Sequence, residues 1–168
     1  MEGIDRSSFL IAYIISNVTA IGFLLISRKR PLAGRIFFSI LFALASWVNW
    51  TTSQGRPHFY LYYAEPATEL YQNFILGWFS RHISVVVGSI ALAQLLIAVG
   101  LLLKGRIYKI AVLGATIFLL AIVPLGIGSA FPCTLTMALT LVFFLYKAGE
   151  DYVWVRDRRQ NFDQLSHT

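Results

Sequence analysis

Apolar residues in this chain gather into long uninterrupted runs instead of alternating or marking one helical face. The clearest is Ile83–Leu103, ISVVVGSIALAQLLIAVGLLL, twenty-one residues with no charge and only Ser84, Ser89 and Gln94 as polar side chains. At a rise of about 1.5 Å per residue, a helix of that length just exceeds a hydrocarbon core about 30 Å thick. No soluble domain needs such a run, so the segment is predicted to span a membrane. Further runs predict spans over 9–27, 34–50, 109–127 and 131–147. The first could pass for a signal peptide. Its apolar stretch is long, however, and Ser27-Arg28-Lys29-Arg30 follows it, the flank of a stop-transfer segment rather than a cleavage site. The expected fold is therefore all-α: five transmembrane helices in a single domain, 1–168, with a tail over 148–168.

The basic residues orient these spans. Arg28, Lys29, Arg30 and Arg35 lie around the first connection, and Lys104, Arg106 and Lys109 around the third. Lys147, Arg156, Arg158 and Arg159 follow the last span. Only Arg6, Arg56 and Arg81 fall on the other side. The positive-inside rule then places the N-terminus outside and the C-terminal tail in the cytoplasm, which requires an odd number of spans. Composition agrees: apolar residues make up 57% of the chain, charged residues 13%, and mean hydropathy is +0.67. The net charge of +6 sits at span ends and forms no basic face, so nucleic acid is not an expected partner. Membrane lipids are.

One sizeable connection lies outside, Thr51 to His82, dense in Tyr, Phe and Trp. From Pro66 the apolar residues recur at helical spacing, with Pro66 placed as a first helical residue and Glu69 where the helix dipole favours an acid. An amphipathic helix over 66–79, lying at the membrane interface, is the expectation. Small residues line one face of two spans: Ser39, Ala43 and Ser46, and Ser84, Gly88 and Ala91. Such stripes permit close helix approach in lipid.

Little in the chain offers chemistry. The three histidines and the lone Cys133 have no metal-ligand spacing, and P-loop, Rossmann and nucleophile-elbow patterns are missing. No cofactor is expected beyond a bound quinone or lipid, and no residue is assigned as catalytic. The central parts of the spans hold no charge, which speaks against an ion or proton path. Their polar groups are Asn17, Asn49 and Gln94, each fitted either to an interhelical hydrogen bond or to a ligand. The external group of Glu65, Glu69, Arg81 and His82, with Tyr60, Tyr62, Tyr63 and Tyr71 nearby, could hold the head of an amphiphile at the bundle mouth. The plainer alternative is that Arg81 snorkels, His82 caps a span and the acids pair with Arg81 or Arg56.

From about Gly34 to Lys147 the chain resembles the DoxX-like family of small bacterial membrane proteins. The resemblance rests on GSIALAQLLIAVG followed by LLLKGR, on the aromatic outer loop, and on PLGIGSAFP before the last span. It implies a four-helix bundle, here preceded by the extra span 9–27. Gln94 stands where the family pattern places an acid. The family further implies the bacterial inner membrane and an association with oxidoreductase assemblies, including quinone-linked ones. Three functions follow as expectations: an accessory or binding subunit for a quinone, a lipid or a membrane redox partner; a membrane subunit of a quinone-linked oxidoreductase; or a small transporter or channel.

Overall fold

The computed structural model describes residues 6–147, and every element among them is helical. The long helices are α1 (Arg6–Lys29), α2 (Pro31–Gly55), α4 (Ile83–Leu102), α5 (Gly105–Ile122) and α6 (Cys133–Lys147), with a short α3 (Glu69–Leu76) in the connection between α2 and α4. Pro31 at the first position of α2 has no amide proton to lose there, and its fixed φ suits a helix start. Three segments are long and apolar enough to cross a membrane: Pro31–Gly55, Ile83–Leu102 and Gly105–Gly126. The tail expected over 148–168 lies outside the described residues.

Each long helix packs on the next, α1 on α2, α2 on α4, α4 on α5 and α5 on α6, and α6 closes on α1. The most extensive of these contacts joins α2 to α4. It is antiparallel and repeats every seven residues. Ser39 Oγ donates to the Ala98 carbonyl at 2.7 Å, Ser46 Oγ to Ala91 at 2.6 Å, and Ser84 Oγ to Ser53 at 2.8 Å. A heptad of small residues on both helices keeps one seam facing the partner, and each serine hydroxyl finds a carbonyl across it. Ala43, predicted into this stripe, is exposed instead, because a seven-residue repeat passes over it.

Arg35 finishes the seam. Although counted above as a charge flanking a span, it is only 4% exposed. Its Nε donates to the Leu101 carbonyl at 3.1 Å, another guanidinium nitrogen donates to Leu103, and the guanidinium carbon lies 4.2 Å from the centre of the Tyr108 ring. Those carbonyls are among the last of α4, which no residue of the same helix can satisfy, and a cation there also meets the negative end of the helix dipole. Close by, a Cβ on Gly34 would collide with Phe144 and Ser27. The main core lies beside this end and includes Phe38, Phe42, Leu101, Val112, Leu141 and Phe144.

The opposite end departs from the sequence expectation. α2 runs on to Gly55, five residues past the predicted span, and a 3₁₀ helix follows over Pro57–Ala64. The single amphipathic helix expected over 66–79 is broken up: Pro66 lies in a turn, α3 starts at Glu69 and ends at Leu76, and a short 3₁₀ turn covers Phe79–Arg81. The reason is a clasp between two loops. Thr68 N–H donates to the Pro124 carbonyl at 3.0 Å, Tyr71 Oη–H donates to Ala121 at 2.7 Å, and the Pro66 carbonyl packs on Gly126. With the Pro66–Thr68 backbone held this way, the helix can begin only after it. Glu69 does occupy the first turn, where an acid suits the dipole.

The tightest glycine between α4 and α5 is Gly100, whose added Cβ would lie 2.7 Å from the Ala111 Cβ. Gly88, for all its place in the predicted stripe, would meet only ordinary contacts at 3.7 and 3.9 Å. Gly100→Leu is therefore expected to destabilise the detergent-solubilised protein by about 1–3 kcal/mol, the usual penalty for overpacking, while Gly88→Ala stays near wild type. Thermal unfolding of both variants in one detergent checks this, and equal behaviour would mean that the crossing point is misplaced.

Candidate functional site

Past their close approach at Gly100 and Ala111, α4 and α5 leave a groove of about 1200 Å³ between them. Small side chains line part of it, Ala45, Ala93, Gly114 and Ala121 among them. Its long walls are aliphatic, including Leu96, Val99, Ile107, Ile110 and Ile117, all of which are also exposed at the bundle surface. The groove therefore opens sideways, towards where lipid would lie. At the α3 end it is covered by aromatic rings: Tyr60, Tyr63, Tyr71, Phe74 and Phe79. No charged side chain lines it.

Its polar feature is a short relay of side chains. Tyr60 Oη–H donates to Asn49 Oδ1 at 3.0 Å, and Asn49 Nδ2 donates to Gln94 Oε1 at 2.9 Å. Gln94 is 2% exposed and yet lines the groove. Tyr63 stacks on Tyr60 with ring centres 6.1 Å apart. The cover is a small core of its own, with Ala64, Ile75, Phe79, Ile83 and Val87 buried together.

The structure divides the predicted site residues into two sets. Asn49, Gln94 and Tyr63 meet at the groove, where Tyr60 and Tyr71, grouped in the sequence with the external cluster, join them. Glu65, Glu69, Arg81, His82 and Tyr62 are exposed on the connection and do not line it. His82 turns back on its own turn, its ring stacked 4.5 Å from Trp78 and its Nδ1–H donating to the Trp78 carbonyl at 2.9 Å. Asn17, the third amide, is on α1 and away from the lining. The sequence marks Tyr60 only as one of several tyrosines in an aromatic stretch, and the 3₁₀ turn selects which of them points inward. Among the described residues no group of three His, Cys, Asp or Glu side chains could hold a metal ion.

Comparison with known proteins adds no relative: no protein family, curated protein or solved structure matches this chain.

Burial pushes the Tyr60 hydroxyl above its ordinary pKa of 10.0, with the neighbouring Tyr63 adding to the shift, and burial raises Tyr63 as well. Both groups thus hold their protons more tightly in the folded protein than in the unfolded chain. The stability this contributes is fully present below pH 10 and falls as pH rises through the raised folded values. Alkaline titration followed by tyrosinate absorbance should show the Tyr60 and Tyr63 phenols ionising above pH 10, with the cover loosening as they do. Tyr60→Phe and Tyr63→Phe should each remove one phenol from the absorbance change that accompanies this loosening. A second prediction concerns the clasp. Gly126 has φ +60°, and a Cβ there would lie 2.7 Å from the Pro66 oxygen. Gly126→Ala should free residues 57–81, seen as faster amide exchange in that segment and not in α2; unchanged exchange would show that the clasp does not hold the cover.

Proposed function

We propose that this is a five-span protein of the bacterial inner membrane, DoxX-like over its last four spans, that holds a lipophilic molecule in the groove between α4 and α5. It would serve as an accessory or binding subunit, presenting a quinone or lipid to a membrane redox partner that carries the electron-transfer group. The observation that carries this reading is the groove itself: large, apolar, uncharged, open to the side, and furnished with one hydrogen-bonding relay. Sites for small molecules have this make-up, a mostly apolar cavity with a few placed polar groups. The external cluster of Arg81, His82, Glu65 and Glu69 then has a lesser part, at the membrane surface beside the cover.

Five spans accord with the alternating direction of α1, α2, α4, α5 and α6, and with α1 having 24 residues. α6 is shorter, with 15. At 1.5 Å per residue it reaches roughly 22 Å, enough only where the bilayer thins or the flanks snorkel. Arg35, Lys104 and Arg106 gather at one end of the bundle and Arg56 and Arg81 at the other, the separation that the positive-inside rule needs.

Two measurements test these statements. A reporter fused after Thr168 is expected in the cytoplasm and one inserted beside Gln54 outside; both on the same side would remove the five-span arrangement. Organic extracts of the purified protein, analysed by mass spectrometry, should contain a lipophilic molecule at a fixed ratio to protein. Ala93, exposed and lining the groove, provides the control. Ala93→Phe should keep the fold and lose the molecule, whereas equal retention by both proteins would put the molecule elsewhere.

A further inference from the structure

The groove has a polar half and a bare half. Its polar lining side chains, Asn49, Tyr60, Tyr63, Tyr71, Gln94 and Ser129, all belong to the half towards the aromatic cover. From Gln94 the groove continues to Leu103 at the α4–α5 connection, roughly 14 Å further at 1.5 Å per residue. Over that distance its walls are aliphatic, with Leu96 and Val99 on one side and Ile107, Ile110 and Ile117 on the other. Half of a hydrocarbon core about 30 Å thick is about 15 Å, so the bare half matches the acyl layer of one leaflet.

Cations stand where the bare half ends. Leu103 and Ile107 both line the groove, and in the chain they bracket Lys104 and Arg106, which are exposed. Arg106 precedes Ile110 by four residues and so begins the row of α5 that forms a groove wall. Side chains of a helix lean towards its start, which carries the Arg106 guanidinium towards the bundle end. The carboxylates among the described residues, Glu65 and Glu69, are on the connection at the opposite end. A neutral head would draw nothing from these cations, and a charged head deeper in the groove would meet no counter-charge. A negative head at the rim with an apolar chain below it uses both features. We infer that the bare half takes an anionic glycerophospholipid, its phosphate at Arg106 and Lys104 and an acyl chain laid between α4 and α5 towards Ile117. The inference rests on the reading of the groove as a binding site. To that reading it adds the charge of the lipid, its orientation and the part of the groove it fills.

The test uses the full chain in phosphatidylcholine nanodiscs. Each preparation carries a trace of phosphatidylglycerol or of phosphatidylcholine with a photoactivated diazirine in one acyl chain, and labelled peptides are mapped by mass spectrometry. Residues 96–117 should take up the phosphatidylglycerol probe about fivefold or more over the phosphatidylcholine probe, the preference that one cation near a membrane surface confers. Ile36 and Ile40 provide the comparison, because they are exposed on α2 just beyond the exposed Lys29 and Arg30 and do not line the groove. Their preference should be clearly smaller. Arg106→Gln should lower the preference at 96–117 roughly fivefold, and Arg106→Lys should keep most of it. Both substitutions fall on an exposed side chain, so the fold is expected to persist. Equal labelling of the groove by the two probes overturns the inference and leaves the groove to a neutral molecule. An equal preference at Ile36 and Ile40 overturns it too, since plain attraction to basic ends would then suffice. So does a preference that Arg106→Gln leaves untouched. If neither probe labels the groove more strongly than the α2 face, the groove reading itself falls.

Discussion

The seam between α2 and α4 sets the geometry of everything else. In lipid there is no hydrophobic drive between helices, so association depends on close packing and on polar groups that find partners. Here three serine hydroxyls, from Ser39, Ser46 and Ser84, bond to backbone carbonyls of the opposite helix at seven-residue intervals. Each such bond is worth only about 0.6 kcal/mol in comparable membrane settings. Their sum is modest, but their spacing is informative. Sliding one helix by a residue would break all three together and bring larger side chains into the seam. The ladder therefore fixes register more than it adds stability.

Because α4 is committed to α2, it has less surface to give to α5. Those two helices touch most closely near their shared connection, where Gly100 faces Ala111, and small side chains line the space beyond. Arg35 makes that end rigid by taking up the last carbonyls of α4 and lying over Tyr108. The far end is held differently, by the clasp between the Pro66–Tyr71 segment and the end of α5. A tight end, a clasped end and a gap between them make a groove without any strained element along its length. The same seam aims Asn49 and Gln94 at each other from opposite helices, since both lie on the flank of the serine face that turns towards the groove.

Much of this architecture was legible in the residues. The run from Ile83 is apolar all round, and length alone identifies it as a helix able to span; the runs in α2 and α5 read in the same way. Asn49 and Gln94 stood out as amides in otherwise apolar segments, which is why the sequence marks them, and they prove to be bonded to one another. The boundaries were less legible. The connection after α2 is rich in aromatic residues that suit an interfacial helix or a folded cover equally well, and the choice was made by a contact some fifty residues away, between Thr68 and Pro124. Local periodicity carries no trace of that contact. Arg35 has a second role that was hidden for a related reason. A positive charge beside a span reads as a topology signal, and only the tertiary structure shows that α4 ends within its reach.

The two polar groups noticed in the sequence, one at the surface and one among the spans, differ in what they can distinguish. Arg81, His82, Glu65 and Glu69 are exposed, so water competes for their hydrogen bonds and salt screens their charges. Such groups hold almost any polar head weakly. The Tyr60–Asn49–Gln94 relay is sheltered by the aromatic cover, and Gln94 is 2% exposed, so water competes less there. Its three side chains satisfy one another instead, through two hydrogen bonds at 3.0 and 2.9 Å. The uncharged relay, and not the charged cluster that is the more conspicuous feature of the sequence, is therefore where an unmade hydrogen bond costs most.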